Sequence, residues 1–118
     1  MHAASREALE RLNETLDQGL RESDNTVEIG ATTGTELFDV VDVLDSDRSL
    51  RVALVDAAAE PEQRVALIKG LLAGKVSAST EEIVSAAVTQ TWSDTRDFRN
   101  GLIALGRRAL LRSAEAQG

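Results

Sequence analysis

The run from Ser79 to Trp92, STEEIVSAAVTQTW, places the tightest constraint on how this chain can fold. Ser79 with Glu82 three residues on is a capping-box pattern, in which a hydroxyl and a carboxylate satisfy free backbone N–H groups in a helix's first turn. On a 3.6-residue wheel, Ile83, Ala87, Thr91, Val84, Val88 and Trp92 cover roughly half the circumference, wider than the ~100° stripe needed to seat a helix on one core. Glu82, Ser85, Thr89 and Ser93 face water on that wheel. Two arrangements satisfy so broad an apolar arc. Either the helix is central in a bundle and touched on two sides by its own chain, or one flank stays open as a groove for another protein's helix.

The remaining periodicity is helical too. From Ser5 to Arg21, Leu9, Leu12, Leu16 and Leu20 form a narrow stripe, bordered by the small residues Ala8, Thr15 and Gly19. Glu7 with Arg11 and Asp17 with Arg21 are acid-first i,i+4 pairs, each worth about 0.2 to 0.5 kcal/mol. The polar stretch Glu22 to Thr33 predicts a loop, and Thr33 with Glu36 predicts the capping box of a second helix carrying Leu37, Phe38, Val40, Val41 and Leu44. A short third helix follows, capped by Ser46 or Asp47 and burying Leu50, Ala53, Leu54 and Ala57. Pro61 opens a fourth with Val65, Ile68, Leu71 and Leu72 inward, and Gly74 closes it in the left-handed conformation. Ser93 or Asp94 starts the sixth, whose stripe of Phe98, Leu102, Leu105 and Ala109 is widened by Ile103, Leu110 and Leu111. Gly101 and Gly106 inside it imply close helix contact, and Arg107, Arg108 and Arg112 complement its dipole. The expected fold is a single all-α domain, a six-helix bundle.

Composition narrows the function. With 20 acidic against 13 basic residues, the net charge of -7 opposes binding to nucleic-acid backbones and anionic membranes. Absence of cysteine removes thiolate chemistry, zinc–thiolate clusters and disulfides. No apolar run reaches membrane-spanning length, and the first residues lack a signal-peptide pattern, so the expectation is an intracellular chain without membrane insertion.

Local motifs for chemistry fail on their own geometry. GLLAGK at Gly70 to Lys75 is too short between its glycines for a phosphate loop, lacks the following hydroxyl, and ends a helix rather than starting one. Asp45, Asp47 and Ser49 resemble the start of a calcium loop, but Leu50 replaces the turn glycine and Asp56 the closing glutamate. Asp39 and Asp42 have no wall to split their pKa values. The sole histidine, His2, lies at a terminus expected to fray. No catalytic, cofactor or metal residues are assigned, and an enzyme would need a pocket with a perturbed acid or base.

The ordered segments REALERLNETLDQGL, ELFDVVDVLDSDRSLRVALVDAAAEPEQRVALIKGLLAGKVS and STEEIVSAAVTQTW, followed by a long last helix, resemble the N-terminal domain of the ATP synthase delta subunit family. Its mitochondrial member is the oligomycin sensitivity conferral protein. The resemblance implies a non-catalytic stator component at the cytoplasmic face of the bacterial plasma membrane, gripping N-terminal helices of alpha subunits between its first and fifth helices. Carried across by position, it implies a groove of Ala8, Arg11, Leu12 and Thr15 facing Ile83, Ala86, Ala87 and Gln90, with Leu12 and Ile83 as apolar anchors worth about 1.5 to 3 kcal/mol each if buried by the guest. The peripheral-stalk b subunit would be engaged only by a C-terminal domain that this chain, ending at Gly118, is expected to lack. Where many members carry an arginine before the sixth helix, this sequence has TQTWSD, with Arg96 nearest. The competing expectation is a helical adaptor unrelated to ATP synthase.

Overall fold

The computed structural model describes residues 1–118 as six helices and no strand: α1 (Ala3–Glu22), α2 (Thr26–Asp45), α3 (Arg48–Val55), α4 (Pro61–Leu72), α5 (Ala78–Thr89) and α6 (Thr95–Gln117). The expected all-α six-helix bundle is the observed fold. Helix α6 is the spine, lying along α2 and contacting α1 on another side, while α4 packs on α5 and α3 links α2 to α4. The core runs through all six elements, from Leu12 and Leu16 of α1 to Phe98, Leu102 and Leu105 of α6.

Local signals place most boundaries. Asp47 accepts from the Leu50 N–H at 3.0 Å and Asp94 from the Asp97 N–H at 2.7 Å, capping α3 and α6. Pro61 occupies the first position of α4, and Gly74, at φ 73°, turns the chain out of it as predicted. On α1 the buried stripe is Ser5, Ala8, Leu12, Leu16 and Leu20, with Leu9 at its half-buried edge.

Helix α2 overturns the expected loop. It begins at Thr26, with Asn25 capping through a 3.0 Å bond from the Glu28 N–H. Gly30 and Gly34 obscure the apolar period in the sequence, and the crossing with α6 explains them. A Cβ on Gly30 would lie 2.9 Å from the Ala109 carbonyl, and one on Gly34 2.8 Å from the Gly106 carbonyl. Both glycines give up helix propensity so that two backbones can approach.

Thr33 and Glu36 therefore lie inside α2 and do not cap it. Thr33 is fully buried and donates its hydroxyl to Ser79 Oγ at 3.0 Å. Glu36 caps a different helix: its carboxylate accepts from the Ser77 N–H at 3.0 and 3.1 Å and from the Ser77 and Thr80 hydroxyls at 2.7 Å each. Ser77, not Ser79, is the N-cap of α5. The helix ends at Thr89, so Trp92 lies beyond it in the connection to α6. There the indole Nε1 donates to the Ala87 carbonyl at 2.8 Å, the ring meets Phe98 edge-on with centroids 5.7 Å apart, and Gly101 makes room for it.

Charged side chains also depart from expectation. Asp17 pairs with Arg108, at 2.9 and 2.6 Å, and with Arg112 at 3.3 Å, tying α1 to α6 instead of pairing with Arg21. The Arg108 bond, with Arg112 adding to it against the effect of burial, lowers the Asp17 pKa to about 2. Arg11 bonds Gln90 rather than Glu7. Leu110 and Leu111, expected to widen the α6 stripe, are exposed. His2 is anchored through its backbone N–H, which donates to Asp97 Oδ2 at 3.2 Å.

Candidate partner-binding site

The eight groove positions divide into two sets. Ala8 and Leu12 of α1 and Ile83 and Ala87 of α5 are at most 3 % exposed and form the seam where the two helices meet. Arg11 and Thr15 are exposed, while Ala86 and Gln90 are half-buried at the surface. Leu12 and Ile83 cannot anchor a guest as expected, because their apolar area has already left water against this chain.

The broad arc of α5 is resolved the same way. Ile83, Val84, Ala87 and Val88 are all buried, covered by α1, α2, α4 and α6, so the arc belongs to a central helix and leaves no large apolar strip. Ser85, expected in water, instead has its hydroxyl buried without a hydrogen-bond partner.

What remains between α1 and α5 is a shallow furrow of about 40 Å³, walled by Thr15, Gly19, Ser79 and Glu82 and floored by Leu16 and Ile83. Gly19 leaves its wall low: a Cβ there would meet nothing within 4 Å. The Thr15 hydroxyl is turned back to the Arg11 carbonyl at 3.0 Å, so it adds little polarity to the rim. Arg11 Nε donates to Gln90 Oε1 at 2.9 Å, a link between α1 and the C-terminal end of α5. Leu16, Gly19, Ser79 and Glu82 were absent from the expected set. Gly19 falls one turn beyond Thr15, and Ser79 and Glu82 flank Ile83, a signal in helical spacing alone.

Three acidic or imidazole groups outside the furrow, His2, Asp94 and Asp97, bring ligand-type atoms within 4.8 Å of one another. Burial raises the Asp97 pKa, but bonds from the Ser5 hydroxyl and the His2 backbone, with the charge of the N-terminus, lower it by more. Structural bonds already occupy this corner: Asp94 caps α6, and Ser5 Oγ accepts from the Ser93 N–H at 2.9 Å.

The arrangement is a shallow, mixed polar and apolar furrow with the Arg11–Gln90 pair on the same α1–α5 surface, and it suits a protein contact. Over all 118 residues the chain is 80% identical to ATP synthase subunit delta of Corynebacterium urealyticum and 70% identical to that of Corynebacterium jeikeium. Over its whole length the chain is similar to ATP synthase delta subunits. The corresponding protein of Corynebacterium diphtheriae is 55% identical over 119 residues. The chain spans 43% to 44% of the length of these curated relatives, less than half. No family model matches it. Similarity at this level favours the delta-subunit reading and leaves an unrelated adaptor without support.

Proposed function

We propose that this chain is the N-terminal domain of a delta subunit and acts as a non-catalytic part of the ATP synthase stator. Its work is mechanical: it holds N-terminal helices of alpha subunits along the furrow between α1 and α5, so that the catalytic head is kept from turning with the rotor. A C-terminal domain, in the length the relatives have beyond this match, would engage the b subunit of the peripheral stalk. The observation that carries the reading is 80% identity over every residue of the chain to a delta subunit. No helix is long and apolar enough to cross a membrane, which suits a peripheral position at the cytoplasmic face.

The energetics differ from those of a deep apolar groove. With Leu12 and Ile83 already buried, affinity must come from close backbone approach over Gly19 and from polar contacts at Glu82 in the furrow wall and at Arg11 and Gln90 on the adjoining surface. Ordering a flexible guest takes back roughly 2 to 5 kcal/mol, so an isolated peptide should bind weakly and several contacts across the complex should act together. The test is titration of a synthetic alpha N-terminal peptide while recording amide NMR shifts. Shifts concentrated at Arg11, Thr15, Gly19, Ser79, Glu82 and Ala86 are expected, and Gly19→Trp, which projects from the furrow wall, should weaken binding at least tenfold while leaving the fold intact. A peptide that moves no resonance of α1 or α5 at millimolar concentration would remove the reading.

A further inference from the structure

Arg64, on the first turns of α4, is 7 % exposed and has no acidic partner. Its Nε donates to the Val88 carbonyl at 2.7 Å, and its Nη1 to the Asp56 and Ala59 carbonyls at 2.9 and 2.6 Å. All three acceptors are neutral. They leave a buried guanidinium whose charge is met only by dipoles, one of them a free carbonyl at the C-terminal end of α5. The second amino group, Nη2, has no acceptor in the chain. Ser85 Oγ is the one fully buried side-chain polar atom without a partner, so Nη2 must reach open space.

That space is a cavity of about 250 Å³ lined by Arg64, the Ala57–Pro61 connection and Thr89 to Trp92. Glu60 is the acidic side chain on its rim; it is exposed and makes no ion pair with Arg64. Gln90 belongs both to this cavity and to the α1–α5 surface, where it binds Arg11. One guanidinium thus sits inside the cavity and another is linked to its lining, on a protein of net charge -7. The two N–H donors left on Nη2 carry part of an uncompensated positive charge and are suited to a carboxylate oxygen.

We propose that this cavity is a carboxylate-binding site, in which Arg64 Nη2 recognises an Asp or Glu side chain of the helix that docks along α1 and α5. The inference rests on the proposed docking for the identity of the guest, but the site itself can be tested without it. Sodium acetate is exchanged for sodium chloride at constant ionic strength while the guanidinium N–H signals of Arg64 and the Thr91 amide are followed by NMR. A saturable shift with acetate and none with chloride is expected. In the second arm, an acidic alpha N-terminal peptide is compared with the same peptide carrying Asn and Gln in place of Asp and Glu. Thr15 and Ala86 report docking in both cases, whereas Arg64 should respond to the acidic form alone, which binds about tenfold tighter. Arg64→Lys should lose the acetate response; should that variant not fold, the wild-type Arg64 signals decide.

If neither acetate nor the acidic peptide moves the Arg64 signals beyond their controls, the residue only staples the α3–α4 connection to α5 and the proposal is overturned. If Arg64 responds to acetate but no peptide moves Thr15 or Ala86, the anion site stands and the docking reading falls.

Discussion

Glu36 and Ser77, 41 residues apart in the chain, join two helices at a single cap: the α2 carboxylate accepts from both the N–H and the hydroxyl of the residue that starts α5. A charge from another helix thus stabilises N–H groups that a local side chain usually satisfies, and its negative sign suits the positive end of α5. Glu36→Ala should cost about 1 to 2 kcal/mol in urea unfolding at neutral pH, because it removes charge-assisted bonds to Ser77 and Thr80 together.

The same bonds make this cap sensitive to acid. Burial alone raises the Glu36 pKa, but bonds from Thr80 and Ser77 outweigh it and hold it below the ordinary 4.5. A depressed folded pKa means that the contribution is complete above 4.5 and is lost as pH falls through the lower folded value. The stability gap between wild type and Glu36→Ala should therefore shrink below pH 4.5, as followed by denaturation at stepped pH.

Asp17 should show the wider window. Its pKa of about 2, set first by Arg108, lies below the ordinary 3.8, so its stabilisation is full above 3.8 and disappears on descent to about 2. Allowing for solvent screening at the partly exposed arginines, Asp17→Asn should lose about 1 to 2 kcal/mol at pH 7. The variant and wild type should converge near pH 2 if other acid-labile groups are matched by comparing melting temperatures at each pH.

Two glycines in neighbouring helices should respond with opposite signs. Gly34→Ala puts a Cβ 2.6 Å from Leu110 Cγ and 2.8 Å from the Gly106 carbonyl, and separating the helices should cost about 1 to 3 kcal/mol. Gly19→Ala meets nothing within 4 Å in the last turn of α1, and should add about 0.5 to 1 kcal/mol. Chemical denaturation of both variants checks the pair.

Ser85 offers a stabilising change in α5. Its hydroxyl is buried without a partner, so Ser85→Ala removes a desolvated polar atom while keeping helix propensity. A gain of up to about 1 kcal/mol is expected, read as a higher urea midpoint with an unchanged slope.

Most of the fold was legible from local patterns, and the misses share a cause. The leucine stripe of α1, the Asp47 and Asp94 caps, Pro61 and Gly74 all act within a turn or two of backbone, where spacing and side-chain chemistry are visible in the sequence. The start of α2 was not, because Gly30 and Gly34 read as breakers until the α6 backbone is seen beside them. At the candidate site, the family resemblance supplied Arg11, Thr15, Ala86 and Gln90, and the structure leaves these four at the surface. The depth to which Leu12, Ile83 and Ala87 sink could not be read from a wheel, which shows which residues share a face but not how many neighbours cover it.

By itself the sequence determined an all-helical chain, most of the inward apolar positions and a similarity to delta subunits, since periodicity, caps and identity are properties of residue order. Tertiary structure alone decided that the apolar circumference of α5 is closed over by its own chain, that Glu36 serves a distant helix, and that Arg64 is held inside without a counter-charge. Each depends on backbones brought together from far along the chain, and the free energy of burying or pairing a group is set by those neighbours rather than by the residues on either side of it.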